Sequence, residues 1–258
     1  MFIDTHCHLA DPKLANLSEV VAEYLRAGVN TVMTMGCSAK TSEQGLEHSK
    51  LYESVYFASG VHPSDSNGFD QTEKDRIIKI AKDSKCVAIG EIGLDYYWQP
   101  YDKQTQIRVF IEQIDIANEL KLPVCIHMRD ATQDTLQVLK EHKPVYGGVL
   151  HCFAGSLETA KILLKQDFYL AFGGTVTFKN ANKVLEVAKY IPEDMMLTET
   201  DSPFLAPVPY RGTVNTPKNI PVICDFLAKL KGLELERLAS QVMENAKRLF
   251  PKLAQKNN

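Results

Sequence analysis

A short apolar or β-branched run followed by an amphipathic helical run, repeated along the chain, constrains this sequence more than any single motif. The apolar runs are Phe2–Thr5, Thr31–Gly36, Val55–Val61, Val87–Ile92, Val124–His127, Gly148–His151, Tyr169–Gly173 and Met196–Thr200. The clearest helical stretch follows the fourth, where Ile107, Phe110, Ile111, Ile114, Ala117 and Leu120 recur at helical spacing. Strands alternating with helices pair in parallel through right-handed crossovers. Eight such units in 258 residues fit a closed α/β barrel, the (β/α)₈ TIM barrel, better than an open doubly wound sheet. Leu235, Leu238, Ala239, Val242, Ala246 and Leu249 then form the stripe of an extra C-terminal helix, expected to seal the outside of the barrel. The expectation is one domain over residues 1–258. No GxGxxG or Walker-type loop follows the first strand, and Gly147-Gly148 and Gly173-Gly174 read as strand-boundary turns.

Composition narrows the class. Apolar residues make up 45% and charged residues 24%, enough to bury a sizeable core. With a net charge of −3 there is no global basic field, so any phosphate must be held locally. Asp4 and His6 follow Met1-Phe2-Ile3 at once, leaving no basic or apolar leader segment, and no apolar run is long enough for a bilayer. Cysteines 7, 37, 86, 125, 152 and 224 include no CxxC pair and read as reduced, mostly buried thiols of a cytoplasmic protein. A monomer is the default expectation, with no membrane partner.

A barrel of this kind carries its chemistry at the C-terminal strand ends. Those ends hold His6 and His8 on the first strand, Glu91 on the fourth, His127 on the fifth, His151 on the sixth and Asp201 on the eighth. All are metal-ligand types. Alternation along a strand sends His6 and His8 to one side and Cys7 to the other. The remaining donors exceed what one tetrahedral ion needs and suggest two divalent ions sharing a carboxylate such as Glu91. A lone histidine at a strand end is usually a satisfied core or loop residue; six donor types converging on one rim are not explained that way. No organic cofactor is expected.

The blocks Asp4-Thr5-His6-Cys7-His8-Leu9, Gly60-Val61-His62-Pro63, Gly90-Glu91-Ile92-Gly93-Leu94-Asp95-Tyr96 and Pro123 to Ala131 make the pattern specific. So do His151 to Ser156, Glu199-Thr200-Asp201-Ser202-Pro203 and Pro209-Tyr210-Arg211-Gly212 with Asn215 and Pro217. Together they resemble the TatD-family metal-dependent deoxyribonucleases of the amidohydrolase superfamily. The resemblance implies a (β/α)₈ barrel that hydrolyses DNA phosphodiesters with Mg²⁺, Mn²⁺ or Zn²⁺, in some members as a 3′→5′ exonuclease. It implies one ion on His6, His8, Glu91 and Asp201, and another on Glu91, His127 and His151. Many amidohydrolases use a carboxylated lysine on strand four where this chain has Glu91, as the TatD branch does.

Further roles follow. Asp201 is the candidate proton acceptor, and Glu91 joins it in the catalytic set. His62 is placed to donate to phosphate or to the leaving oxygen, or simply caps the turn at Pro63. Arg129 and Arg211 are candidates for phosphate, with an ion pair to Asp130 or Asp95 the alternative for Arg129. Glu199 and Asp95 are expected to orient ligand histidines. Of the loop aromatics Tyr96, Tyr97, Trp98, Phe153, Phe178, Phe204 and Tyr210, most are expected to pack over the barrel mouth. Tyr96 and Phe204 are the candidates to stack on bases. His48 and His142 are expected at the surface. The leading expectation is a DNA phosphodiesterase. Hydrolysis of a small amide, lactone or ester, including an aminoacyl-tRNA ester, is the second reading, and a non-catalytic metal-binding scaffold the third.

Overall fold

The computed structural model describes residues 1–254. The chain forms two compact units, one of residues 1–34 with 151–248, the other of residues 35–150 with the segment that begins at Leu249. In the first unit β1 (Phe2–Cys7) pairs in parallel with β2 (Val29–Thr34), and β7 (Tyr169–Phe172) with β8 (Met196–Thr198). A parallel bridge between Cys7 and Ser202 ties β1 to the segment after β8. In the second, β3 (Val55–Ser59), β4 (Cys86–Asp95), β5 (Val124–Arg129) and β6 (Gly148–Leu150) pair in parallel one after another. Strand order follows the sequence from β1 to β8.

Helices α1 (Leu17–Arg26), α2 (Ala39–Leu51), α3 (Gln71–Ala81), α4 (Lys103–Leu120), α5 (Thr132–Glu141), α6 (Leu157–Leu164), α7 (Asn182–Tyr190) and α8 (Ile220–Lys231) follow the strands in turn. This is the (β/α)₈ arrangement expected from the sequence, with α9 (Leu235–Leu249) as the additional helix. No described helix is long and apolar enough to cross a membrane.

The strand ends differ from the apolar runs in a way that matters for chemistry. β1, β4 and β5 run on through His6, Asp95 and Arg129, so several polar residues lie inside strands. β6 and β8 stop early, leaving His151, Glu199 and Asp201 in the turns beyond. All ten residues of β4 are buried, so it shows none of the alternation that would mark its end. Gly93 adopts φ 140°, and a Cβ there would lie 2.0 Å from the His127 carbonyl oxygen. Only glycine allows β4 to lie this close to β5.

The face that α4 buries is not the one its apolar spacing suggests. Phe110, Ile114 and Ala117 are buried as expected, but Gln106, Val109, Gln113 and Ile116 are buried with them, while Ile107, Ile111 and Leu120 remain part-exposed. The two glutamines are inside because each amide satisfies a backbone donor and a backbone acceptor. Gln106 accepts from the Asp95 N–H at 2.9 Å and donates to its carbonyl at 2.9 Å. Gln113 does the same for Val61, at 2.7 and 3.0 Å. Two strand ends are thereby fixed from behind, one next to His62 and one at Asp95.

The α9 stripe is buried at Leu238, Ala239, Val242, Ala246 and Leu249, with Leu235 part-exposed. Its fully buried Asn245 donates to the Glu193 and Met196 carbonyls at 2.7 and 2.8 Å. None of the six cysteines forms a disulfide among the described residues; Cys37 and Cys152 are part-exposed and the other four buried. Gly147 precedes β6 with φ 85°, and Gly174 opens the turn after β7, as boundary turns should. His142 is part-exposed at the end of α5. His48, expected at the surface, is half-buried on α2, and burial lowers its pKa. Its helix has only a weak polar face, which gave no sign of that.

Gln113→Met keeps the volume but leaves the Val61 N–H and C=O buried without partners. It is expected to cost roughly 2–6 kcal/mol, at about 1–3 kcal/mol for each of the two stranded groups. Urea denaturation of the two proteins checks this, and an unchanged midpoint would show that the Val61 clamp is dispensable.

Candidate metal centre

Each unit gathers its own group of donors. In the first unit His6 ends β1 and His8 follows it, and their Nε2 atoms lie 3.3 Å apart. The Asp201 Oδ1 is 3.3 Å from His8 Nε2 and 3.8 Å from His6 Nε2. A tetrahedral ion with bonds of ~2.1 Å spaces its donors by about 3.4 Å. The triangle therefore has the size of a coordination face, and two imidazole nitrogens with a carboxylate oxygen suit a borderline divalent ion.

The backbone around this triangle is closely held. Asp201 sits at φ 54°, its N–H donating to the His6 carbonyl at 2.9 Å, while the His8 N–H donates to the Ser202 carbonyl at 2.7 Å. Asp4 lies fully buried beneath. Its carboxylate accepts from the His6 N–H at 3.2 Å, the Thr200 N–H at 2.9 Å and the Thr200 hydroxyl at 2.5 Å. One side chain thus joins the two segments that carry His6 and Asp201. Burial outweighs these bonds and pushes the Asp4 pKa up to about 8. Sequence reading gave Asp4 no role, although the alternation that pairs His6 with His8 puts Asp4 on the same face.

His151 stacks on His6, with centroids 3.9 Å apart and planes at 10°. Its Nδ1 is 3.5 Å from the Glu199 Oε1, which also accepts from the Cys152 N–H at 2.6 Å. Glu199 thus lies against both the imidazole and the turn that presents it. Asp201 is held below the usual carboxylate range. Burial acts to raise its pKa, but the His8 hydrogen bond and the nearby His151, His8 and His6 prevail.

In the second unit His127 on β5 stands between two carboxylates. Its Nδ1 lies 2.8 Å from Glu91 Oε1 and its Nε2 2.9 Å from Asp95 Oδ2. A ligand histidine commonly has one ring nitrogen on a carboxylate, which fixes the tautomer and leaves the other free to bind metal. Asp95 is placed to be that carboxylate. Its pKa is lowered: burial opposes this, and the bonds from His127 and the Tyr97 N–H overcome it. His62 caps the turn at Pro63, the simpler of the two roles considered for it. Its Nδ1 accepts from the Ser64 N–H at 3.1 Å, capping the turn, while its Nε2 faces Glu91 Oε1 at 3.6 Å.

The expected substrate residues are placed less uniformly. Tyr96 turns away, its hydroxyl donating to Asp134 at 2.9 Å and its ring stacking on Tyr101 at 4.9 Å. Arg129 pairs with neither Asp130 nor Asp95; its guanidinium lies 3.7 Å from the Tyr97 ring centroid. Arg211, on the loop after β8, lies over Phe178 at 3.9 Å. Phe204 is exposed with its ring 6.3 Å from that of His8. Tyr97, Trp98 and Tyr210 are exposed too, and Phe153 is buried.

Imidazoles and carboxylates collected at the C-terminal strand ends of a (β/α)₈ fold characterise metal-dependent hydrolases. Residues 3–251 match the family described as TatD related DNase, and the chain belongs to that family. It is similar to the metal-dependent hydrolase YabD of Bacillus subtilis strain 168, with 44% identity over 254 residues covering 97% of this chain and 99% of YabD. It is 40% identical over 253 residues to the metal-dependent hydrolase YcfH of Escherichia coli K12, covering 96% of this chain and 95% of YcfH. Among solved structures, the TatD homolog YJJV of Escherichia coli K12 matches with a TM-score of 0.92 at 28% identity, over 97% of this chain and 98% of that one. A TatD-family hydrolase of Entamoeba histolytica, at 23% identity and a TM-score of 0.85 over 96% of this chain and 97% of that one, shares the fold. The chain is therefore a TatD-family metal-dependent hydrolase.

Asp95→Asn places an amide beside His127 Nε2 and removes the carboxylate that selects its tautomer. Divalent-ion affinity is expected to fall roughly 10–100-fold. Titration calorimetry with Mn²⁺ or Zn²⁺ reads this directly, and unchanged affinity would mean that Asp95 does not orient the ring.

Proposed function

We propose that the protein hydrolyses phosphodiester bonds of DNA, working inward from an end, as one catalytic domain with two divalent ions. The observation that carries the reading is the donor triangle of His6, His8 and Asp201, whose edges of 3.3, 3.3 and 3.8 Å have the size of a metal's coordination face. The proposed ligands are the set the family pattern implies: His6, His8, Glu91, His127, His151 and Asp201. The family's description as DNases and the unpaired cation of Arg129 favour phosphorus over carbon as the electrophile.

Bound ions of this kind bring the pKa of water toward neutrality and offset phosphate charge. The side chains supply the rest. Asp201, kept ionised by its histidine neighbours, is the proton acceptor for the attacking water. In its neutral form His62 carries its proton on Nε2, because Nδ1 accepts from Ser64, so it is set to donate to the leaving oxygen. Asp95 and Glu199 hold the rings of His127 and His151. Arg129 and Arg211 are the candidates to bind phosphate groups away from the reacting bond.

Chelation with EDTA is expected to abolish mononucleotide release from DNA, and adding back Mg²⁺, Mn²⁺ or Zn²⁺ one at a time identifies the ion that restores it. Asp201→Asn should lower kcat by roughly 100-fold or more, the usual worth of a general base. Release that persists in EDTA, or near-normal turnover by the variant, would refute the proposal. Metal-dependent cleavage of esters, lactones or aminoacyl-tRNA with DNA left intact would assign the site to a carbon electrophile.

A further inference from the structure

Residues 200–204 follow β8 and carry Asp201 in a backbone form that does not hold itself. Asp201 sits at φ 54°, a left-handed conformation strained for any residue with a Cβ, and such strain persists only where the surroundings impose it. Part of what imposes it is already described. Asp4 takes the Thr200 N–H and hydroxyl, and the Asp201 N–H donates to the His6 carbonyl. Those bonds fix where the turn begins, not where it ends.

Asn215, which stands in the sequence block around Arg211 and has no step assigned to it above, joins the two ends. It is completely buried. Its Nδ2 donates to the Thr200 carbonyl at 2.9 Å and to the Phe204 carbonyl at 2.7 Å. Its backbone N–H donates to the Pro203 carbonyl at 3.0 Å. The acceptors therefore lie on both sides of Asp201. A second amide sets the first: Asn219 donates from Nδ2 to Asn215 Oδ1 at 2.8 Å, which occupies the oxygen and turns the NH₂ group toward the carbonyls.

Asn245 offers a matched comparison within the same unit. It too is fully buried, and its Nδ2 donates to two carbonyls, of Glu193 and Met196, at 2.7 and 2.8 Å. Its Oδ1 accepts from Gln241 at 2.9 Å, as that of Asn215 accepts from Asn219. Asn245 serves the first residue of β8, whereas Asn215 serves the turn past its last. A barrel places its chemistry at the second of these ends.

We propose that Asn215 is a positioning residue for hydrolysis, its amide holding the left-handed turn that aims the Asp201 carboxylate at His6 and His8. The inference rests on the reading of Asp201 as ion ligand and proton acceptor, and adds the group that keeps it aimed. Replacing the NH₂ of Asn215 by oxygen hardly changes its volume but sets a carboxylate against two carbonyls. The turn then opens, and Asp201 relaxes toward negative φ.

Asn215→Asp and Asn245→Asp are compared with the unaltered full-length protein. Both should lower the urea midpoint, because each sets two acceptors against one another. Asn215→Asp is expected to lower kcat for DNA roughly 10–100-fold with KM kept within a factor of about two, the signature of a displaced reacting group. It should also weaken Mn²⁺ binding about tenfold by calorimetry, and its crystal structure should show Asp201 at negative φ. Asn245→Asp should keep both kcat and Mn²⁺ affinity. Should Asn215→Asp fail to fold, Asn219→Ala, which frees the amide to turn, is expected to lower kcat and Mn²⁺ affinity by a smaller factor. Unchanged kcat and ion affinity in the Asn215 or Asn219 variant, or an equal loss in Asn245→Asp, would overturn the inference. If the unaltered protein cleaves no DNA, the phosphodiesterase reading fails, and Mn²⁺ affinity with the Asp201 backbone still decides the role of Asn215.

Discussion

Where a parallel strand runs past its neighbours the ladder stops, and the last N–H and C=O groups need other partners. In this protein buried polar side chains supply them, and the donor residues are positioned as a consequence. Asp4 takes the His6 and Thr200 N–H groups, Gln113 takes both backbone groups of Val61, Gln106 those of Asp95, and Glu199 the Cys152 N–H. Asn215 donates to the Thr200 and Phe204 carbonyls, on either side of Asp201. Each of these groups belongs to a donor residue or lies within three positions of one. The rigidity of the site therefore comes from hydrogen bonds made behind it rather than from contacts among the donors.

The same arrangement sorts the carboxylates. Asp4 accepts three hydrogen bonds yet has its pKa raised, first by complete burial and further by the nearby Glu199. Asp95 and Asp201 are also enclosed, yet both are held low by histidines and N–H donors. Of these three, the two held low are the two that imidazoles flank. A site so composed has negative charge and lone pairs converging together, which is the electrostatic demand that a divalent cation meets.

Much of this was legible in the sequence. Eight strands, their order and the additional helix followed from alternating periodicities, and the donor residues followed from asking what the strand ends carry. What remained hidden has identifiable causes. Gln106 and Gln113 interrupt the apolar stripe of α4, so a reading by hydrophobic spacing placed Ile107 and Ile111 inward instead. β4 is buried throughout and gives no alternation from which to find its end. Past Asp95 the alternation no longer applies, so nothing indicated that Tyr96 turns inward while Tyr97 and Trp98 turn out. The turn after β8 likewise depends on a left-handed Asp201, which residue type alone does not reveal.

Net charge sets the last constraint. A chain at −3 offers a polyanion no net attraction at long range, so any attraction to phosphate must be short-range and local. A few exposed cations placed against aromatic rings satisfy this, since a ring contact restrains the guanidinium without neutralising it. Arg129 over Tyr97 and Arg211 over Phe178 share that construction, one in each unit of the chain. Carboxylate partners would have restrained both arginines more firmly, but would have cancelled the charge that the proposed phosphate contacts require.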